Sequence, residues 1–168
     1  MRTTYLLSAW LGALLLLGGC AHKGDEGAEA SANFLGPNAV YVLQAPTRVE
    51  GWNFQRGDGS TASDPGIRPL DAKIGKRLAD VLLAGGTYSK PAGLGGFEPA
   101  VGYRVWRENQ SVDVLCSFVN DQVLVKYPAY NGNPTSATAG TTAARGELLK
   151  IAHEAFPDYH PPEEPKKK

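Results

Sequence analysis

The sequence predicts an α+β domain, and two patterns carry that expectation. From Val101 to Tyr127, apolar residues recur at every second position through three successive runs, the mark of an antiparallel meander with one buried face. Elsewhere, Asp71–Ala84 and Thr142–Phe156 space their apolar residues three and four apart, as amphipathic helices do. The economical packing sets two helices on one face of the sheet. A chain of 168 residues suits one such domain with tails.

Each element follows from local chemistry. Ala39-Val-Tyr-Val-Leu43 is rich in β-formers, and Arg48–Phe54 follows it beyond Pro46, so one or two strands are expected ahead of the meander. Within the second, Val49 and Trp52 fall out of strict phase around Gly51, which points to a bulge. Gln55–Pro69 is dense in Gly, Ser, Asp and Pro and reads as a loop. In the first helix Ile74, Leu78, Val81 and Leu82 share a face, Asp71 caps the start, and Gly85-Gly86 stops it. A second loop spans Thr87–Pro99.

The meander comes next. Val101, Tyr103 and Val105 share one face, as do Val112, Val114, Cys116 and Phe118, then Val123, Val125 and Tyr127. Short polar turns, Glu108-Asn109-Gln110 and Asn120-Asp121, separate the runs. Pro128–Gly140 reads as loop, and the last helix ends at Pro157.

Composition narrows the function classes. Seventeen basic and seventeen acidic residues balance to zero formal charge, so the chain lacks the basic footprint of a nucleic-acid binder. Hydrophobic residues make up 42%, too many for a wholly disordered chain.

The amino terminus carries the most specific signal. Arg2 precedes an apolar run, Tyr5–Leu17, of about 13 residues, short of the roughly 20 a bilayer-spanning helix needs but right for an export signal. It ends Leu17-Gly18-Gly19-Cys20, which resembles the bacterial lipobox, in which a cysteine after two small residues accepts a diacylglyceryl group. That resemblance implies a signal peptide over 1–19, lipidation of Cys20, and a membrane partner reached through acyl chains. Ala21 rather than Asp then favours the outer membrane. Residues 20–35 read as a lipidated flexible tether, 36–157 as the domain, and 158–168 as a disordered Pro/Lys tail.

Short motifs from Ala39 to Pro157 resemble an uncharacterised bacterial family that occurs in lipoprotein form. They are Ala45-Pro46-Thr47-Arg48-Val49-Glu50, Thr87-Tyr88, Phe97-Glu98-Pro99 and Val112-Asp113-Val114-Leu115-Cys116. The family's further cysteines are missing: Gly95-Gly96 and Val119 stand near their places. Any pairing or metal binding by those cysteines therefore does not carry over, and the resemblance implies a fold without an activity.

No catalytic constellation stands out. With Cys20 acylated, Cys116 has no partner and sits in phase with Val114 and Phe118 as a small buried hydrophobe. His22, His153 and His160 form no metal-ligand spacing, and no cofactor motif occurs. Arg56-Gly57-Asp58 matches an adhesion tripeptide but is ordinary turn chemistry. Glu98 and Asp113 are a possible carboxylate pair, with ion pairing to Arg104 or Arg107 the plainer reading. The strongest binding candidate is the sheet face opposite the valines, where Arg104, Trp106, Leu115 and Leu124 gather. The expected function is a membrane-anchored envelope lipoprotein with a non-enzymatic interaction domain and an envelope protein as partner. The alternatives are an envelope hydrolase and a small inhibitor or protective protein.

Overall fold

The structure, a computed structural model, describes residues 25–54, 66–89, 96–127 and 135–161. Cys20, the tether before Asp25, the Arg56-Gly57-Asp58 turn and the tail from residue 162 lie outside the described residues. The described chain runs α1 (Asp25–Gln44), β1 (Arg48–Asn53), β2 (Arg68–Pro69), α2 (Ala72–Leu83), β3 (Val101–Arg107), β4 (Gln110–Ser117), β5 (Gln122–Tyr127) and β6 (Thr135–Gly140). A 3₁₀ turn (Thr142–Ala144) then leads into α3 (Arg145–Ala155). The fold is α+β, and the described residues form three helices and one six-stranded antiparallel sheet in the order β2-β1-β3-β4-β5-β6.

The meander forms as its alternation requires, with Tyr103 paired to Val114 and Val114 to Val125 in unbroken register. Val49, Val101, Tyr103, Val105, Val112, Val114, Cys116, Val123 and Val125 all enter the hydrophobic core. Cross-strand pairing puts every one of them on the same sheet face. Leu35, Val42 and Leu43 of α1, Ile74, Leu78 and Leu82 of α2, and Leu148, Ile151 and Ala152 of α3 complete that core. Asp71 caps α2 as expected, its carboxylate accepting the Lys73 N–H at 2.9 Å.

Several expectations need correction. The stretch 39–43 is helical rather than a strand, and the described residues form three helices where two were expected. Past Gly36 the buried residues Ala39, Val42 and Leu43 fall at i, i+3 and i+4, so packing on one helical face overrides the β preference of Val and Tyr. Gly36, at φ 72° and ψ 160°, breaks α1, and Pro37 then opens its second part, where a missing N–H costs nothing.

Within residues 20–35, helix α1 begins at Asp25 and Leu35 is fully buried. Beyond residue 157, the Tyr159 ring is fully buried against Phe118 at 5.7 Å.

The expected loop Pro128–Gly140 contains β6, and the loop ahead of α2 contains the short β2. Finally, β1 has no bulge, for Arg48 through Asn53 pair in continuous register with β3. Val49 and Trp52 are out of phase because they point to opposite faces, and both are buried.

Candidate functional site

The second sheet face is built in rows that cross the strands. One row runs Glu50, Arg104, Asp113, Lys126 and Ser136; the next runs Trp52, Gly102, Leu115, Leu124 and Thr138. Trp106 lies between Arg48 and Ser111 in a third. The sheet therefore places all four predicted residues, Arg104, Trp106, Leu115 and Leu124, on one face and in neighbouring rows.

Charge and aromatic groups interlock along these rows. The Arg104 guanidinium donates twice to Asp113, from Nε to Oδ1 at 2.6 Å and from Nη2 to Oδ2 at 2.8 Å. Such a bidentate pair has fixed geometry as well as charge. The hydrogen bond to Asp113, opposed in part by desolvation, raises the Arg104 pKa further above its ordinary value. Arg104 also lies over the Trp52 ring, 5.8 Å from its centroid. The Trp106 Nε1–H donates to Glu50 at 3.1 Å, while the Arg48 guanidinium stacks on the Trp106 ring at 4.4 Å. Arg48 Nε stands 3.7 Å from Glu50 Oε1, closing a triangle of three side chains.

Burial divides the four residues. Arg104, Trp106 and Leu124 are half-buried, whereas Leu115 is only 7% exposed. Leu115 and the equally buried Trp52 both stand outside the main core. The face is therefore a mixed surface of half-exposed aromatic and paired charge over a small apolar base, with no open hydrophobic patch at Leu115. Sequence reasoning missed Trp52, Arg48 and Glu50 as members. Pairing Arg48–Asn53 beside β3 would have placed all three there.

The other candidates resolve simply. Asp113 is held by Arg104 rather than by Glu98. Cys116 is a free, buried thiol, and burial pushes it up to about 12, far from a reactive thiolate. Burial likewise raises the phenols of Tyr88, Tyr103 and Tyr159 above their usual range. Among the described residues no group of three potential metal ligands comes together, and no helix is long and apolar enough to cross a membrane.

A groove of about 370 Å³ runs between β2, α2 and the end of α3, lined by Arg68, Asp71, Lys73 and Glu154. Its ionisable groups are committed to partners. Lys73 reaches Glu154 at 3.2 Å and Asp71 at 3.9 Å. Arg77 pairs with Glu154 from outside the groove, and Arg68 donates to the Ala155 carbonyl at 2.5 Å.

Compared with family models, curated proteins and solved structures, the chain has no match, so the functional reading rests on its own residues.

Proposed function

We propose that this chain is a bacterial envelope lipoprotein, cut before Cys20 and anchored through acyl chains on that thiol. Its α+β domain binds another envelope component through the second face of the sheet. The observation that carries the reading is the run Tyr5–Leu17 ending in Leu17-Gly18-Gly19-Cys20. Each buried methylene contributes about 0.8 kcal/mol, so two or more chains hold a domain that spans nothing. Ala21 directs it to the outer membrane.

The Arg48–Trp106–Glu50 and Trp52–Arg104–Asp113 groupings favour binding over hydrolysis. They offer the half-buried Trp106 ring above the buried Trp52, with pre-oriented charged groups, the side chains that dominate protein interfaces. A hydrolase needs convergent, free acid and base groups, and the groups lining the groove at Arg68 and Lys73 already face opposite charge or a carbonyl. The test is crosslinking in intact cells followed by purification of the chain, wild type against Trp106→Ala. Loss of a crosslinked envelope protein in the variant supports the reading, and equal recovery from both contradicts it.

A further inference from the structure

The two edges of the sheet are unlike. At one edge, β2 is two residues long and includes Pro69, which has no N–H to offer. Short edge strands and prolines are the usual devices that stop sheets from joining. At the other edge, β6 runs six residues, Thr-Ser-Ala-Thr-Ala-Gly, with no charge, no proline and an unbroken register against β5.

The direction of its backbone groups follows from one contact. Gly140 exchanges both hydrogen bonds with Ser89, N–H to C=O at 2.9 Å each way, on the side away from β5. Alternation along a strand then turns the N–H and C=O of Thr138 and Ser136 outward as well, and those of Ala139 and Ala137 inward to β5. Ser136 and Thr138 are exposed, and among the described residues no strand pairs with them.

We propose that β6 pairs antiparallel with β6 of a second copy of this chain, about a two-fold axis at Ala137. This register is self-complementary. Ser136 of one copy exchanges both hydrogen bonds with Thr138 of the other, and Thr138 with Ser136, giving four bonds in all. Ala137 faces its own symmetry mate in a non-hydrogen-bonded pair, the closer of the two kinds, which a methyl side chain fits. Ser89 on Gly140 ends the pairing beyond Thr138. Charge agrees with the register as well. The two-fold axis lines up the row of Lys126 and Ser136 with the partner row of Thr138 and Leu124, so the two Lys126 side chains do not meet. The dimer joins two six-stranded sheets into one and leaves the Trp106 face of each copy free.

The test is a symmetric disulfide in the full chain, expressed in cells, oxidised and run on a non-reducing gel. Directly opposed residues have β-carbons about 4.5–5.5 Å apart, close to disulfide reach, so Ala137→Cys places two thiols together. A covalent homodimer is expected from Ala137→Cys, and none from wild type or from Lys150→Cys on the exposed face of α3. The dimer is lost when Thr138→Pro is added, which removes an outward N–H and leaves the bonds to β5. Thr138→Lys should abolish it too, since it keeps the backbone and sets a charge in line with the partner's Lys126. Monomer alone from Ala137→Cys, a disulfide to a different protein, or a dimer that survives both second substitutions would overturn the proposal.

Discussion

The indole of Trp52 lies against the backbone of Gly102, so closely that a β-carbon on Gly102 would stand 2.3 Å from Trp52 Cε2. The two residues are cross-strand partners, and the missing side chain is what lets the ring lie down between Arg104 and Leu115. Trp52 thus becomes the floor of the candidate face rather than a free aromatic.

Gly102→Ala should therefore destabilise the fold by about 1–3 kcal/mol, the usual cost of overpacking, and change the tryptophan environment. Gly146→Ala is the matched control. Nothing lies within 4 Å of its added β-carbon, and a helical Gly→Ala gains about 0.5–1 kcal/mol. Urea unfolding with near-ultraviolet circular dichroism separates the two. A Gly102→Ala midpoint at or above wild type would contradict the packing described.

Cys116 should resist thiol reagents in the folded protein at pH 8 and react once urea unfolds it, because its thiol is buried. The same burial sets an alkaline limit on stability. The folded-state pKa, near 12, lies above the ordinary value of 9.0, and the phenols of Tyr88, Tyr103 and Tyr159 are raised in the same direction. Above about pH 9 the unfolded chain releases protons that the folded chain retains, so stability present below pH 9 falls as pH rises toward 12. Urea midpoints measured from pH 7 to pH 11 should be level and then decline. A midpoint unchanged at pH 11 would contradict the burial of these groups.

Helices α2 and α3 are laced by charge, with Glu154 reaching both Lys73 and Arg77, and Glu147 reaching Arg77 and Lys150. These groups are substantially exposed, so Glu154→Ala should cost no more than about 1 kcal/mol and the loss should shrink in 1 M salt. A salt-independent loss of several kcal/mol would mean that Glu154 does more than pair at the surface.

Trp106→Ala removes the ring on which Arg48 stacks and the donor to Glu50. Half-buried and outside the main core, Trp106 should cost the domain less than the 3–5 kcal/mol typical of a core tryptophan, a difference that thermal melts resolve. A cooperative domain that no longer captures its partner is the expected result.

What was legible in the sequence depended on side-chain size. The meander and α2 announced themselves because Val, Tyr, Leu and Ile recur at a single period, and the structure keeps them to within a residue or two. Strand β6 stayed hidden because its core-facing residues are Ala137 and Ala139, too small to register as a hydrophobic alternation. The stretch 39–43 reads as a strand because Val40, Tyr41 and Val42 favour strands in isolation, and the helical spacing of Ala39, Val42 and Leu43 is too short a pattern to outweigh them. The face with Arg104 and Trp106 was visible from phase alone. Its partners Arg48, Glu50 and Trp52 depended on which strand lies beside β3, a long-range pairing that local pattern does not encode.

Membrane attachment depends on the chemistry at Cys20. Metabolic labelling with a clickable fatty acid, comparing wild type with Cys20→Ser in the bacterium, tests it most directly. Label on the wild-type chain and none on Cys20→Ser is the predicted result. An unlabelled wild-type chain, or label that persists in Cys20→Ser, would contradict it.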